Sequence, residues 1–258
     1  PRALDAPETH FSAARAMVDV REIANAPHPL GSDEHTKVRG YLAQRLQTLG
    51  FEVSEQRGSL TIGAVQRLQR SGGTPNRANF EAVNLVAVRK GTDSRLPPLM
   101  LMAHYDTVVG SPGAADATSG VAAILETARA LTARDSNRRD LLVVFTDAEE
   151  IGLEGARLFF EEHPLASTVG FILNLEARGG GGRAFMFETG RGDGQTIRAF
   201  APVASKADGG VSATSLAVFM YEQMPNGTDF THARNRGMAG MNFAFIGRPA
   251  QYHSPEST

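Results

Sequence analysis

The sequence contains no cysteine, no tryptophan and only three lysines, Lys37, Lys90 and Lys206. The missing cysteines exclude disulfides, thiolate nucleophiles and thiolate metal sites, which leaves His, Asp and Glu as the strong ligands. The lysine shortage, set against 26 basic residues in all and a richness in Arg and Ala, reads as base composition and carries no function. Charge of one sign is also lacking: 26 basic against 28 acidic residues give a formal net charge of -2. Nucleic acid and anionic membrane are therefore poor expectations for a partner. No long hydrophobic run is present either. The longest mostly apolar stretches, at 96–103 and 141–145, fall far short of the roughly 20 residues of a membrane helix, so no membrane insertion is expected of this segment. The chain starts at Pro1 without an initiator Met, and removal of a signal peptide or membrane anchor is left open.

What is present suits one globular unit. With 258 residues and 41% hydrophobic composition, a single domain over 1–258 is expected, made of N-terminal helices and a hairpin region at 1–95 and an α/β core at 96–258. A helix is predicted over 11–23 with Phe11, Ala14, Val18 and Ile23 on one face, and a second after Ser32 or Asp33, with Val38, Tyr41, Leu42, Leu46 and Leu49 at helical spacing and Gly50 closing it. Extended segments at 51–53 and 60–68, a Gly-Gly-Thr-Pro turn at 72–75 and a strand at 82–88 suggest an antiparallel hairpin region. From 99 onward strands and helices alternate: strands at 99–103, 141–146 and 169–175, helices at 119–131 and 155–162. Nearly continuous apolar strands separated by helical crossovers predict an α/β fold with a mixed, mostly parallel sheet flanked by helices on both faces. A Gly-rich flexible turn at 179–182, a helix at 196–204 and strands near 215–221 and 241–246 complete the pattern, and the glycine run lacks a phosphate-binding fingerprint.

The informative feature is where the polar residues fall. Strand 99–103 runs into His104-Tyr105-Asp106, strand 141–146 into Asp147-Ala148-Glu149-Glu150, and strand 169–175 into Glu176. The carboxyl ends of strands in open α/β sheets meet at one crevice, where ligands bind. Asp116 stands just before a predicted helix, and the chain closes on Tyr252-His253-Ser254-Pro255. Taken singly, Asp116 reads as an N-cap, the Asp-x-Glu-Glu run as a solvated turn and His253 as a surface residue. Together, four carboxylates at one sheet edge would repel one another unless a cation sits among them. Two Zn2+ ions are balanced by three carboxylates and a hydroxide, with two neutral imidazoles completing the shell. His104, His253, Asp116, Glu150 and Glu176 fill those places. Asp106, two residues from His104, is placed to accept the other ring N–H and fix its tautomer, and Glu149 is left free as a general base.

The pattern resembles the co-catalytic dizinc aminopeptidases, the family of bacterial leucyl aminopeptidase and aminopeptidase S. The resemblance rests on His104-x-Asp106, the Gly-x-x-Asp116-x-x-Ser-Gly loop, Glu149-Glu150-x-Gly-Leu-x-Gly-Ala and Tyr252-His253-Ser-Pro-x-x-Thr, and Pro29-Leu-Gly-Ser32 resembles the family's N-terminal segment. It implies a zinc exopeptidase fold of the phosphorylase/hydrolase-like kind. It also implies one zinc on His104, Asp116 and Glu176, a second on Asp116, Glu150 and His253, and Glu149 as the base. The family more often has Asp where this chain has Glu176. Asn174-Leu-Glu-Ala, Phe187-Glu-Thr-Gly190 and Pro225-Asn-Gly-Thr-Asp-Phe230 look like the branch of endoplasmic-reticulum metallopeptidases and vacuolar membrane proteases. That branch implies an extracytoplasmic domain tethered to membrane spans in the full-length protein. The expected partner is a peptide substrate. Tyr252 is a candidate donor to the oxyanion and Asp229 a candidate for the substrate side of the site, whereas His232, His10, His28, His35 and His163 offer no ligand spacing and are expected at the surface or in loops. Rival readings are a glutaminyl cyclase-like enzyme with a single zinc, a dizinc carboxypeptidase and an inactive binding module.

Overall fold

A computed structural model of the chain describes residues 2–257 apart from 73–80, 135–136, 191–193, 207–210, 215–217, 220, 222 and 224–226. Eight strands form one sheet in the order β1-β2-β4-β3-β5-β8-β6-β7. The strands are β1 Glu52–Ser59, β2 Glu81–Arg89, β3 Leu99–His104, β4 Leu141–Thr146, β5 Phe171–Ala177, β6 Gly181–Thr189, β7 Val211–Ser212 and β8 Gly240–Gly247. At the centre β4, β3, β5 and β8 run parallel, while β1 on β2, β2 on β4 and β6 on β8 are antiparallel. The mixed, centrally parallel sheet expected from the alternating pattern is thus present. It carries α1 Ala13–Ile23, α2 Asp33–Thr48, α3 Ile62–Arg70, α4 Gly120–Thr132, α5 Glu154–Glu162, α6 Gly194–Ala204 and α7 Phe230–Asn235.

Two apolar layers sandwich the central strands. One joins Leu42 and Leu46 of α2 and Ile124 and Leu125 of α4 to Leu85, Leu101, Val143 and Phe145. The other joins Phe159 and Phe160 of α5 and Phe230 of α7 to Met100, Met102, Val144 and Ile172. Consecutive residues of one strand, such as Val143 and Val144, thus enter opposite layers, the strand period of two acting on a run that is apolar throughout. The second strand sits at 82–88 as expected, and its pairing with β1 runs from Glu52 opposite Val88 to Ser59 opposite Glu81.

Three expectations are corrected. Residues 62–70 form a helix, not an extended segment: the Thr61 hydroxyl accepts from the Ala64 N–H, and Ala64 and Leu68 are buried one turn apart. The glycine run is a turn over its first half only: Gly179 and Gly180 lie in the bend after β5. Gly181 and Gly182 open β6, with φ of 158° and 102°, and the Phe185-Met186-Phe187 segment pairs with β8 and is largely buried. Lastly, α1 turns a different face inward: Ala16, Val20 and Ile23 are buried, whereas Phe11 is 39% and Val18 52% exposed. Its inner face meets α4 through Ala122. The turn expected at 72–75 and most of the strand expected at 215–221 lie outside the described residues; Val218, Phe219 and Tyr221 are helical.

Candidate metal centre

The parallel strands point their C-terminal ends at a common edge. His104 is the last residue of β3, opposite Thr146 at the end of β4, and Glu176 lies near the end of β5. Asp116 occupies the short turn Ala114–Ser119 that feeds α4, with non-helical dihedrals of φ -110° and ψ 102°. That turn seats tightly because Gly120, at the start of α4, lies so close to β5 that a Cβ there would approach the Leu175 carbonyl oxygen to 2.9 Å. His253 arrives from the segment after β8.

Asp116 is not an N-cap. Its Oδ1 lies 3.1 Å from His104 Nε2 and its Oδ2 3.1 Å from His253 Nε2. Glu176 Oε2 is 3.6 Å from His104 Nε2, and Glu150 Oε2 is 3.2 Å from His253 Nε2. One carboxylate therefore stands between two imidazoles, each with a glutamate of its own. One donor group, His104, Asp116 and Glu150, has ligand atoms that all lie within 4.8 Å of one another and straddles the two halves.

The expected role of Asp106 changes in detail. His104 Nδ1 lies 3.0 Å from the Asp106 main-chain carbonyl oxygen, while the Asp106 carboxylate is farther off at 3.5 Å. That carboxylate instead accepts the Glu149 N–H at 3.0 Å and the Glu150 N–H at 3.3 Å. Asp106 thus orients His104 through its backbone and holds the glutamate pair through its side chain. Tyr252 stacks on His253 with ring centroids 3.8 Å apart. Asp229, the candidate for the substrate side, makes no side-chain cap bond at the start of α7; it is fully buried, accepts the Thr146 hydroxyl at Oδ2 and leaves Oδ1 without a partner among the described residues. His28 and His35 are also corrected, from surface residues to 1% and 2% exposed. They bond elsewhere, the His28 N–H to the Thr107 hydroxyl and His35 Nε2 to Asp147, and His232 is half-buried.

Burial and like charge disturb this cluster. Burial, reinforced by Asp116 and Asp229 and opposed by His104, pushes Glu176 up to about 8. Burial also raises Glu149 well above the carboxylate range, with Glu176, Glu150 and Asp229 adding to it, and raises Asp229 to about 6. Burial opposes the charged forms of Asp116 and the two histidines as well, but here hydrogen bonding wins. His104 and His253 hold Asp116 low, Asp106 and Asp116 hold His104 high, and Asp116 and Glu150 hold His253 up at about 9. Protons on two imidazoles thus offset, incompletely, an excess of carboxylate. This is a fit for zinc: a nitrogen and oxygen donor set without sulfur, both Nε2 atoms facing one carboxylate, and more buried negative charge than the protein's own cations neutralise.

The sign of these shifts yields a prediction for the metal-free protein. A group whose folded pKa is raised stabilises the fold at low pH and loses that contribution as pH climbs through the folded value. Glu176, up at about 8, and His253, up at about 9, both act in this direction. His28, His163 and His232, lowered by burial from 6.5, act oppositely, but only below about that pH. In chelator, Tm should therefore fall between about pH 6.5 and 9, as read by scanning calorimetry; a Tm rising through that window contradicts the electrostatics given above.

The sequence matches peptidase family M28 over residues 84–258. The vacuolar membrane protease of Schizosaccharomyces japonicus is 35% identical over 245 residues, covering 88% of this chain and 28% of that protein. That of Candida albicans is 32% identical over 246 residues, covering 93% and 27%. The chain thus spans little more than a quarter of the length of these relatives. Among solved structures, a zinc aminopeptidase from Bacillus subtilis superposes with a TM-score of 0.74 at 16% identity, covering 98% of this chain and 90% of that one. Porphyromonas gingivalis glutaminyl cyclase superposes at 0.69 and 19% identity, covering 96% and 90%. At such identities these two likenesses speak for the fold.

Proposed function

This chain belongs to peptidase family M28, and from that premise we propose that it is a zinc aminopeptidase that releases N-terminal residues from peptides with two metal ions per chain. The observation that carries the reading is Asp116, whose two carboxylate oxygens each lie 3.1 Å from a different imidazole. His104, Asp116 and Glu176 would hold one ion, and Asp116, Glu150 and His253 the other. Bound there, zinc would polarise the scissile carbonyl and lower the pKa of a water.

The chain's own residues account for the rest. Glu149 takes a proton at its carboxylate as the peptide bond is attacked and returns it to the departing amine nitrogen; a carboxyl group raised by its surroundings suits both halves of that task. Asp106 keeps Glu149 in reach by holding its backbone N–H. The Tyr252 hydroxyl, raised by burial and by Asp116 and Glu150, stays protonated and is a donor toward a developing oxyanion. Asp229 Oδ1, buried beside Thr146 and without a partner among the described residues, is the acceptor we assign to the substrate's free amino group. Residues 1–258 are proposed as one catalytic unit, since β1 and β2 extend the same sheet and α2 shares a core with α4. Among the described residues no helix is long and apolar enough to cross a membrane. We propose a domain tethered to a membrane and facing an extracytoplasmic space; that the relatives are named vacuolar membrane proteases supports the membrane association.

A single-ion, cyclase-like reading has one observation behind it, the compact group of His104, Asp116 and Glu150 donors. One set of peptides separates the readings: parent sequence, N-acetylated, C-amidated, and beginning with Gln. The proposal expects N-acetylation to lower kcat/KM by about a hundredfold or more, the scale of a buried acceptor left unpaired, and amidation to change little. Cleavage that needs a free carboxyl terminus, or ring closure of N-terminal Gln without hydrolysis, would overturn it.

A further inference from the structure

The turn that carries Glu149 and Glu150 is held from its far side by residues that take no part in the chemistry described above. Ala148 has a φ of 58°, a left-handed conformation that residues with a side chain rarely adopt. What fixes it is Asp147, fully buried, whose Oδ1 accepts the Ala148 N–H at 2.8 Å and whose Oδ2 accepts the Val83 N–H at 2.8 Å. The main chain of Asp147 is held too, its N–H by Asn84 Oδ1 at 3.1 Å and its carbonyl by the Gly155 N–H at 2.8 Å. Beyond Ala148, the next two N–H groups go to Asp106.

Behind Asp147 stands His35. It lies in the first turn of α2, where its N–H is held by the Ser32 hydroxyl at 3.1 Å. Its ring is stacked 10° from parallel on Tyr105 with centroids 4.8 Å apart, and its Nε2 lies 2.8 Å from Asp147 Oδ1. Tyr105 in turn donates to the Val83 carbonyl at 2.8 Å. Both Asp147 oxygens already accept backbone N–H groups, so Nε2 is the donor in this pair. That donor meets the same oxygen that receives the Ala148 N–H, so it fixes the rotation of the carboxylate on which the left-handed residue depends. His35 lies 112 residues from Asp147 and before residue 84, outside the stretch that matches the peptidase family.

We infer that His35 is a positioning residue, acting through Asp147 to hold the turn at 147–150 so that Glu149 and Glu150 face the centre at once. The inference rests on the roles given to those two glutamates under the proposed function. The dyad does not touch the cluster; it sets where the turn points, and a displacement of about 1 Å at a reacting group costs roughly a hundredfold in rate. It also places an N-terminal helix among the determinants of activity.

The test compares His35→Phe, which keeps the stacking and most of the volume but removes the donor, with His35→Gln, which keeps a donor. Zinc affinity is read by chelator competition, and kcat and KM on a leucyl anilide. H35F should lower kcat by roughly 10²-fold with KM within threefold, and loosen the more weakly held zinc about tenfold or more. H35Q should recover most of both. Leu42→Ala, in the core face of the same helix, should lower Tm yet leave zinc affinity and kcat per folded molecule unchanged. H35F added to Asp147→Asn should cause no further loss of kcat. H35F with parental zinc affinity and kcat, or H35Q as impaired as H35F, overturns the inference. Should H35F not fold, D147N alone decides, since it removes one of the two acceptors needed by Val83, Ala148 and His35 and should show the same signature. If the parent protein cleaves no peptide, the aminopeptidase reading has failed, while the zinc-affinity comparison still decides the role of His35.

Discussion

Glu149→Gln should retain the zinc content of the parent protein and lose roughly 10²–10⁴-fold in kcat, the range typical of removing a general acid–base group. The two effects separate because the proposed ligand oxygens of the two half-sites come from Asp116, Glu150 and Glu176, each within 3.6 Å of an imidazole nitrogen, whereas Glu149 is the glutamate that the proposal leaves off both ions. Its backbone N–H stays with Asp106 Oδ1 at 3.0 Å, so the amide variant keeps its place. The same variant has a second readout. Burial, Glu176, Glu150 and Asp229 all resist ionisation of Glu149, and a group raised in the folded state destabilises the fold once pH has passed its unfolded value. Removing the charge should therefore raise the Tm of the metal-free protein at pH 8. Parental kcat in E149Q would take Glu149 out of the reaction, and loss of metal would show that it is a ligand instead.

Asp116→Ala should be the most damaging substitution in the molecule. Each Asp116 oxygen serves a different half of the centre, so its removal takes a ligand from both ions at once. Elemental analysis should find close to no tightly bound zinc and peptide cleavage should fall below detection, because the several kcal/mol that metal ions supply to the transition state correspond to about 10³-fold or more in rate. Glu150→Ala and His253→Ala act in one half alone and should each lose one ion. If D116A keeps one ion as tightly as the parent, Asp116 is not shared. The fold should survive in all three variants, since the apolar layers around β3 and β4 do not depend on the cluster.

The distribution of what could be read from the sequence follows from the range of each interaction. The site residues were legible because strand ends in a parallel sheet are brought together by topology, so that His104, Glu149, Glu150 and Glu176 needed only their position after an apolar run. The central strands were legible for the same reason. Residues 60–68 read as extended because the branched and apolar residues there suit a strand, and the Thr61 cap that decides for helix is fixed by Glu154, 93 residues away. The glycine run at 179–182 reads as a turn throughout, although Gly181 and Gly182 open β6, because the partner that makes β6 a strand, β8, comes some sixty residues later in the chain. Want of a ligand spacing puts His28 and His35 at the surface or in loops, and His28 does lie in a loop, yet both are buried. His35 is instead tied to Asp147, and the His28 N–H to the Thr107 hydroxyl, by bonds that span 112 and 79 residues. Asp106 shows the limit on a finer scale. Its proximity to His104 could be read from a separation of two residues, but the bonds from its carboxylate to the Glu149 and Glu150 backbone join β3 to the loop after β4. Local pattern thus locates the candidate ligands, and long-range packing decides how they are held.

The central claim is that Asp116 joins two metal sites, and the most direct measurement is a zinc titration of the metal-free protein followed by elemental analysis and activity on a leucyl anilide. Two ions per chain, the second restoring most of the activity and absent from H253A, is the predicted result. Saturation at one ion with full activity would contradict the account.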